Sequence, residues 1–386
     1  MSLSDKTAIA GIGCTEFSHN SGRSELRLTL EAVTAALDDA GLSPADVDGL
    51  CTFTFDNTAE IEVFANLGGR ELKFFSRIDY GGGGACAPLQ QAAMAIISGV
   101  AEVVVCYRGM NERSEYRFGA GAITPGTTAV RSWINFHTMH GLRTPAASMA
   151  VLMRRYMHEY GATEADFGQV AVSARRHAAT NPAARFYEKP INLDDYMNSK
   201  MIAEPFRLFD CCQESDGAVA IVVVSAERAR DLRKKPVLIR GAAQGACDHQ
   251  RNMHPYYGRD ITQSSESMLA ARQLYQQAGL TPGDIDAAII YDHFGPTVLL
   301  SLEAYGFCGR GEAKDFIRDG AIEVGGRLPV NTNGGQVGEA YIHGMNGIAE
   351  AVRQLRGEAV NQVQGARHVL ATAGLSVPTS AVILGV

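Results

Sequence analysis

The stretch of residues 329–347 carries the residue types best suited to chemistry. It contains a glycine-rich turn followed by apolar residues at helical spacing, and its three turn glycines are Gly334, Gly335 and Gly338. Glycine lets a backbone approach a ligand closely, and a helix N-terminus offers free N–H groups and positive potential. With Tyr341 and His343 alongside, the stretch is suited to bind an anion or a developing oxyanion, and the glycines are candidate substrate contacts. A turn that only connects two elements would explain the same glycines.

A nine-residue pattern occurs twice and indicates an internal duplication. It reads Ala-Gly-Leu-Ser-Pro-Ala-Asp-Val-Asp at 40–48 and Ala-Gly-Leu-Thr-Pro-Gly-Asp-Ile-Asp at 278–286, with six of nine residues identical at an offset of 238. In each copy a hydroxyl residue can cap a turn that has proline first and aspartate third. A helical pattern precedes each copy and an apolar strand follows it.

Strands alternate with helices in both halves. The predicted helices include 24–39, 268–277 and 348–355, and the predicted strands are 7–12, 50–55, 103–106, 218–224, 236–240, 287–291, 369–370 and 381–384. This order predicts an α/β protein with two sheets covered by helices, and continuous apolar runs are typical of buried strands. We expect an N-terminal half at 1–230 and a C-terminal half at 231–386.

An insertion at about 111–210 interrupts the first half. It contains a helical stretch at 146–160 and loops rich in glycine, arginine and aromatic residues. A long insertion in a compact fold is usually functional, so we expect a lid over the site. Five of its arginines could contact phosphates or simply lie on solvated helix faces: Arg143, Arg154, Arg155, Arg175 and Arg176.

The composition of the chain argues against several classes of protein. The chain has 386 residues, a net charge of −7 and no long basic run, which argues against a nucleic-acid surface. No stretch has the length and apolarity of a signal peptide core or a membrane span, so we expect a cytoplasmic protein. Eight scattered cysteines without Cys-x-x-Cys spacing predict neither a zinc site nor a disulfide framework in this chain.

Several segments resemble one family, and together they cover essentially the whole chain: Arg154-Arg-Tyr-Met157, Asn181-Pro182, Ile202-Ala-Glu-Pro-Phe-Arg-Leu208 and Asp216-Gly-Ala-Val-Ala-Ile221. With the duplicated halves, they resemble the thiolase superfamily, in particular its sterol-carrier-protein branch. The stretch 329–347 is similar to the thiolase motif Asn-x-x-Gly-Gly-x-x-x-x-Gly-His-Pro-x-Gly-x-x-Gly. The resemblance implies a duplicated α/β/α/β/α sandwich with an inserted loop domain, a homodimer, and acyl-CoA thioesters as substrates.

Two oxyanion-hole positions depart from the family pattern. Counting from Asn331, the position of the family's histidine falls on Tyr341. The family's Asn-Glu-Ala-Phe, or His-Asp-Cys-Phe in the sterol-carrier branch, corresponds to Tyr291-Asp-His-Phe294. Both positions therefore hold tyrosine.

The catalytic cysteines of the family also have no clear counterpart. The nucleophile position aligns with Ala85, and Cys86 follows one residue later, so the register there stays open. The second cysteine belongs near Ala371, whereas the last cysteine of the chain is Cys308. An acyl-enzyme mechanism needs a thiolate and a second acid or base, so this loss favours a reaction without a covalent intermediate.

Two phenols near pKa 10 can donate hydrogen bonds to an oxyanion or exchange protons, which suits retro-aldol cleavage of a β-hydroxyacyl-CoA. The chain closely resembles the lipid-transfer-protein retro-aldolases of steroid side-chain degradation in Tyr80-Gly-Gly-Gly83, Tyr291-Asp-His-Phe294 and 338–346. That resemblance implies cleavage of a 17-hydroxy steroid acyl-CoA to a 17-ketosteroid and propionyl-CoA. It also implies a small partner protein with an OB-fold and a zinc ribbon, which would hold the zinc; this chain itself would need no cofactor.

We expect Tyr291 and Tyr341 to be the catalytic pair, with His343, Asp292 and, less directly, His293 in support. The sequence leaves open which tyrosine is the base. Two other functions are possible: a thiolase or acyltransferase that uses Cys86, and a non-catalytic subunit that binds acyl-CoA or lipid.

Overall fold

The structure is a computed structural model that describes residues 3–54, 58–115, 117, 133–248, 250, 253, 256, 258 and 260–386. The predicted end of the second strand at residue 55 and a part of the insertion, including 118–132, lie outside the described residues.

The strands are β1 (Thr7–Cys14), β2 (Gly49–Phe53), β3 (Phe74–Ile78), β4 (Val104–Asn111), β5 (Met201–Ala203), β6 (Phe206–Arg207), β7 (Asp216–Ser225), β8 (Val237–Gly245), β9 (Ala287–Ile289), β10 (His368–Thr372) and β11 (Thr379–Gly385). The α-helices are α1 (Glu25–Ala40), α2 (Glu60–Leu67), α3 (Ala87–Ile97), α4 (Trp133–Thr138), α5 (Pro145–Tyr160), α6 (Glu164–Thr180), α7 (Leu193–Met197), α8 (Ala226–Ala229), α9 (Ser265–Ala278), α10 (Thr297–Ala304), α11 (Ala313–Phe316), α12 (Gly335–Gly338) and α13 (Met345–Arg356).

The strand pairing bears out the duplication. Among the described residues, the large sheet has the order β3-β2-β4-β7-β1-β8-β11-β10-β9. β2 and β4 are parallel, as are β9 and β10, whereas β7 runs antiparallel to β4 and β1, as β11 does to β10 and β8. Read outward from the centre of the sheet, the strands β1, β7, β4 and β2 of the first half therefore correspond to β8, β11, β10 and β9 of the second. The edge strand β3 is an addition to the first half.

The two halves share one sheet. β1 and β8 are antiparallel neighbours, with Ala8 opposite Leu238 and Ile9 opposite Val237. The sequence predicted two sheets covered by helices, and the pairing of β1 with β8 joins them into one continuous nine-stranded sheet in the described part of the chain. Each half ends in an edge strand with unpaired backbone groups, and pairing these two edges satisfies them.

Helices complete the layers of the sandwich. α1 packs on β1, β4 and β7, and α9 packs on β8 and β11. Between these layers, α3 contacts β2 and β7 of its own half and β8 of the other, while α13 contacts β9 and β10 of its own half and β1 and β7 of the other. Nearly every residue of α13 is buried, as expected for a helix inside the core. The predicted α/β/α/β/α sandwich is confirmed.

Both copies of the nine-residue pattern form the predicted capped turn. Ser43 and Asp46 hydrogen-bond reciprocally, as do Thr281 and Asp284. In the insertion, the predicted helix is present as α5, whereas α6 was not predicted. No described helix combines the length and apolarity needed to span a bilayer.

An ion pair between the halves offers a test of the fold. Arg356 at the end of α13 is 2.7 Å from Asp39 of α1 and donates a second hydrogen bond to the Ala10 carbonyl at 2.9 Å. Its side chain is 1% exposed. Replacing Arg356 by Met should lower the free energy of unfolding by about 1–3 kcal/mol, because Asp39 would lose its closest cation while partly buried.

Urea unfolding measures this change. The control is Arg27→Met, because Arg27 pairs with Glu31 on an exposed helix face and should contribute less than about 0.5 kcal/mol. Equal effects of the two replacements would contradict the role assigned to Arg356.

Candidate active site

Tyr291 and Tyr341 lie against each other in the interior. The Tyr291 hydroxyl donates a hydrogen bond to the Tyr341 hydroxyl at 3.1 Å. The two rings meet edge to face, with centroids 6.4 Å apart. Tyr291 is 5% exposed and Tyr341 7% exposed. The structure therefore brings together the two residues that the sequence put forward as a pair.

Backbone contacts fix both tyrosines. Tyr291 follows β9, and its N–H donates to the Thr372 hydroxyl at the end of β10 at 3.0 Å. Tyr341 lies between α12 and α13, and its N–H donates to the Gln213 carbonyl at 3.1 Å. Gln213 precedes β7 of the first half, so the pair is held by segments of both halves.

The ring of Tyr291 occupies space that three glycines leave open. A Cβ at Gly82 would lie 1.9 Å from the Tyr291 hydroxyl oxygen, and one at Gly344 would lie 2.8 Å from ring atom Cδ2. At Gly374 the distance to ring atom Cε1 would be 3.3 Å. Gly82 belongs to the turn before α3, and Gly344 precedes α13. Close approach of these turns to the ring therefore requires glycine.

Burial determines the protonation state of the phenols. It raises the pKa of both tyrosines well above the ordinary value. At Tyr341 the proximity of Tyr291 raises the pKa further. At Tyr291 the hydrogen bond with Tyr341 and the charge of Arg108 act in the opposite direction. At neutral pH both phenols are protonated and can donate hydrogen bonds.

Three polar groups near the phenols were not anticipated from the sequence. Arg108 of β4 is fully buried, with its guanidinium 5.5 Å from the centroid of the Phe53 ring. Glu112 follows β4 and is 3% exposed. The charge of Glu112, and that of Cys212 once its thiol is ionised, act to raise the pKa of both phenols. In the sequence these residues lie in or beside apolar strands, and no local signal marks them.

Each predicted supporting histidine packs against one phenol. The His343 ring lies 5.2 Å from Tyr341, and the His293 ring lies 5.2 Å from Tyr291, centroid to centroid. Burial lowers the pKa of His293 to about 3, so its imidazole is neutral. His343 has a positive φ of 51°, which directs the chain from Tyr341 into α13. Their catalytic support stays a prediction.

Asp292 holds the glycine-rich turn. Its Oδ1 accepts a hydrogen bond from the Gln336 N–H at 2.7 Å, and a Cβ at Gly335 would lie 2.1 Å from its Oδ2. Burial raises the pKa of Asp292 to about 6, against the lowering effect of the hydrogen bonds that it accepts. The carboxyl thus positions α12, which precedes Tyr341.

Packing accounts for the turn glycines. A Cβ at Gly334 would lie 2.6 Å from the Ala178 Cβ of α6, and one at Gly338 would lie 2.9 Å from the same atom. Gly334 and Gly335 also have positive φ values of 108° and 63°. Close helix packing and turn geometry therefore require these glycines, and their predicted contact with substrate is untested.

Hydrogen bonds attach the insertion to the same turn. Glu339 accepts hydrogen bonds from Asn346 at 2.8 Å and from Asn181 of the insertion at 3.3 Å. Burial raises the pKa of Glu339 to about 7. The segment after α6 therefore packs directly beside the residues that lead to Tyr341.

Cys86 is poorly suited to act as a nucleophile. It is 1% exposed, and its Sγ lies 3.6 Å from the Ala371 carbonyl oxygen. Burial raises the pKa of its thiol far above the ordinary value, whereas reactive cysteines have a lowered pKa in electropositive surroundings. Ala85, the other position left open by the sequence, carries no reactive group.

Most of the insertion arginines named from the sequence have structural partners. Arg154, Arg155 and Arg176 pair with glutamates. Arg175 stacks on the Phe186 ring at 3.6 Å, and Arg143 is exposed. Among the described residues, no group of three His, Cys, Asp or Glu side chains is arranged to hold a metal ion.

Comparison with known proteins places these observations in a family. The family model of the thiolase N-terminal domain matches residues 7–227, and that of the thiolase C-terminal domain-like family matches residues 247–385. The 17-hydroxy-3-oxo-4-pregnene-20-carboxyl-CoA lyase of Mycobacterium tuberculosis is 61% identical over 385 residues, covering 99% of this chain and 100% of that protein.

Two further proteins have similar identity. A steroid side-chain-cleaving aldolase of Thermomonospora curvata is 61% identical over 388 residues, covering 99% of this chain and 98% of that protein. The solved structure of an Ltp2-ChsH2(DUF35) aldolase superposes with a TM-score of 0.95 at 60% identity, covering 100% of this chain and 99% of that chain.

The close contact between Gly82 and the Tyr291 ring predicts how a methyl group added at Gly82 would affect turnover. Gly82→Ala should lower kcat by about 10²-fold, because the new Cβ would displace the phenol hydroxyl from its position. Gly283→Ala is the matched control, since its Cβ would come no closer than 3.7 Å to a neighbouring atom. Steady-state kinetics on both variants, with thermal melts to confirm folding, measure the effect. A folded Gly82→Ala variant with full activity would disprove the steric requirement.

The environment of Cys86 predicts that the thiol is dispensable. Cys86→Ala should keep activity within a few fold, and iodoacetamide should leave Cys86 unmodified in the native protein, because alkylation requires an accessible thiolate. Mass spectrometry of the treated protein and turnover measurements test this. Loss of activity together with alkylation at Cys86 would favour the cysteine-dependent thiolase reaction.

Proposed function

This chain belongs to the thiolase superfamily, and on that basis we propose that it is a carbon–carbon lyase acting on a steroid acyl-CoA. It cleaves a 17-hydroxy steroid acyl-CoA to a 17-ketosteroid and propionyl-CoA. Two relatives named for this type of cleavage are 61% identical over essentially the whole chain. The observation that carries the chemistry is the contact between the Tyr291 and Tyr341 hydroxyls at 3.1 Å.

The reaction requires one proton transfer and one bond cleavage. The substrate carries a hydroxyl on the carbon β to the thioester carbonyl. Removal of the hydroxyl proton lets the oxygen electron pair form a ketone while the Cα–Cβ bond breaks. The electron pair of that bond forms a thioester enolate, which is protonated at Cα. The proton lost by the hydroxyl balances the proton gained at Cα, so no oxidant or reductant is needed.

The phenol pair can transfer that proton without forming a long-lived phenolate. Because the pKa of each phenol is raised, a free phenolate is unfavourable at neutral pH. A relay avoids it: Tyr291 accepts the hydroxyl proton while passing its own proton to Tyr341, and Tyr341 protonates the enolate. We assign the base role to Tyr291 because its hydrogen bond with Tyr341 and the charge of Arg108 both lower its pKa, against the effect of burial. The Tyr341 O–H, which the contact with Tyr291 leaves free to donate, stabilises the enolate oxygen before its proton is transferred to Cα.

The other two functions have less support. A cysteine-dependent thiolase reaction would need a thiolate, and the burial of Cys86 opposes its formation. A non-catalytic acyl-CoA-binding subunit would have no need of two buried phenols in contact, because burying their hydroxyl groups costs free energy that packing alone does not require.

We further propose that the chain works in a complex. The related structure contains a DUF35 protein alongside the aldolase, and a small partner of this kind, with an OB-fold and a zinc ribbon, would supply the zinc. The chain itself then needs no cofactor, since CoA is part of the substrate. A homodimer, a division into halves at 1–230 and 231–386, and a cytoplasmic location stay predictions from the sequence.

Removal of either phenol hydroxyl tests the assignment. Tyr291→Phe and Tyr341→Phe should each lower kcat by about 10²-fold or more, because each removes a proton-transfer group. The assay follows formation of the 17-ketosteroid and propionyl-CoA, with and without the partner. Tyr275→Phe is the control, since in the described part of the chain that hydroxyl donates its hydrogen bond to the Tyr305 carbonyl, at 2.9 Å. Two folded Phe variants with wild-type turnover would refute the phenol mechanism and favour the non-catalytic subunit.

A further inference from the structure

Glu266 of α9 has a buried carboxyl group that takes no part in the proposed proton relay. It lies in the first turn of the helix and is 5% exposed. Its carboxylate accepts a hydrogen bond from the Ser376 N–H at 2.7 Å. Ser376 belongs to residues 373–378, which join the antiparallel strands β10 and β11 and which we name the hairpin loop. An acceptor on α9 thus holds the backbone of this loop.

The surroundings of Glu266 disfavour its negative charge. Among the described residues, no arginine, lysine or histidine pairs with this carboxyl group. Two titratable groups face it, the Cys247 thiol after β8 and the Tyr305 phenol after α10. Burial raises the pKa of both groups, and the charge of Glu266 raises each pKa further. Neither group can supply a positive charge to Glu266.

The carboxyl group of Glu266 ionises close to neutral pH. Burial raises its pKa to about 7, against the lowering effect of hydrogen bonds from its own N–H and from the Ser376 N–H. Because this pKa lies above that of an exposed glutamate, the free energy of unfolding falls as the pH rises to about 7 and the carboxyl ionises. An ionised Glu266 therefore costs stability, and such a cost is commonly met at functional sites.

The hairpin loop packs against the Tyr291 ring. A Cβ at Gly374 of this loop would lie 3.3 Å from ring atom Cε1. The Gly374 N–H donates to the Gly82 carbonyl at 3.0 Å, and Gly82 is the glycine whose Cβ would meet the Tyr291 hydroxyl. At the next residue of that turn, a Cβ at Gly83 would lie 2.2 Å from the Pro378 carbonyl oxygen. The hairpin loop therefore contacts both the ring and the turn that borders the phenol hydroxyl.

The backbone at Ser376 needs support from its surroundings. Its φ of 62° lies in the left-handed region, which residues with a side chain adopt infrequently. Such a conformation costs free energy and persists where neighbouring contacts enforce it. Ser376 is 3% exposed, and while its N–H donates to Glu266, its carbonyl accepts the Met253 N–H at 2.8 Å. Loss of the bond to Glu266 would therefore remove a contact that enforces the conformation of the hairpin loop.

We propose that Glu266 is a positioning residue for Tyr291: its carboxylate holds the hairpin loop against the phenol ring, and protonation of the carboxylate loosens the loop. An ionised acceptor forms a shorter and stronger hydrogen bond than a neutral one, so the loop is held best when Glu266 is charged. Small displacements of a reacting group lower the rate of its reaction, so turnover increases as Glu266 ionises. This inference rests on the proposed function, because that function gives the Tyr291 hydroxyl its role in proton transfer.

Glu266→Gln tests this role, because glutamine keeps the shape of the side chain and removes its charge. At about pH 8 the variant should lower kcat for the steroid acyl-CoA by about 10-fold, with KM changed by less than about 2-fold. At about pH 6 the difference in kcat should shrink to about 2-fold, because the wild-type carboxyl is then largely protonated. Steady-state kinetics on the full chain with its partner measure both values. An equal loss of kcat at the two pH values would overturn the proposal.

The matched control is Glu25→Gln. By the duplication α1 corresponds to α9, and Glu25 in the first turn of α1 likewise accepts a backbone N–H from a distant segment, that of Thr58 at 2.6 Å. This variant removes the same kind of charge away from the hairpin loop. Its kcat should stay within about 2-fold of the wild type at both pH values.

A double variant shows whether Glu266 acts through Tyr291. In the Tyr291→Phe background, Glu266→Gln should change the remaining kcat by less than about 2-fold, because the hydroxyl that it positions is already absent. A general structural effect of Glu266 would lower kcat in both backgrounds. A loss of about 10-fold in the Tyr291→Phe background would therefore contradict the positioning role.

Hydrogen–deuterium exchange keeps the test independent of turnover. Protection of the amides at 374–377, corrected for the intrinsic exchange rate, should fall in the wild type between about pH 8 and about pH 6 and stay constant in Glu266→Gln. If the wild type shows this fall but cleaves no steroid thioester, the proposed function fails, while Glu266 still holds the loop. If protection is the same in both proteins at each pH, Glu266 does not hold the loop and the proposal is wrong.

Discussion

The hydrogen bond between the Tyr291 and Tyr341 hydroxyls depends on backbone from both halves of the molecule. Tyr291 extends from the end of β9 into a space bounded by Gly82 of the first half and by Gly344 and Gly374 of the second. Interiors are packed as densely as organic crystals, so a side chain at any of these glycines would compete with the ring for volume. The glycines around the ring therefore serve to position a phenol.

The location of this contact follows from the duplication. The strand order of one half mirrors that of the other, and the edges β1 and β8 join them. α3 and α13 consequently lie together between the layers, each beginning at a glycine-bearing turn. The turns before α3 and α13 occupy corresponding positions in the two halves and meet at the centre. The first turn contributes a residue without a side chain, Gly82, and the second contributes the phenol of Tyr341 just before α13.

Desolvation has opposite consequences for the two kinds of reactive group in this interior. A thiol acts as a nucleophile only as its anion, and burial suppresses that anion at Cys86. A phenol is useful in its neutral form, because it donates one hydrogen bond and accepts others. Burial keeps Tyr291 and Tyr341 neutral, and their mutual hydrogen bond offsets part of the cost of removing the hydroxyl groups from water. The same environment thus opposes formation of a thiolate at Cys86 and keeps both phenols protonated.

The sequence by itself determined the duplication, the alternation of helices and strands in both halves, and the positions of the two tyrosines, because periodicity and repeated motifs are local properties of the chain. It missed α2, α6, α10 and the edge strand β3, and it gave no sign that Arg108 lies near the phenols. Only the tertiary structure decided that the two sheets join at their edges and that Gly334 packs on α6. These outcomes depend on contacts between residues that are far apart in the chain. Such contacts form only when the fold brings the two surfaces together, so no local pattern in the sequence predicts them.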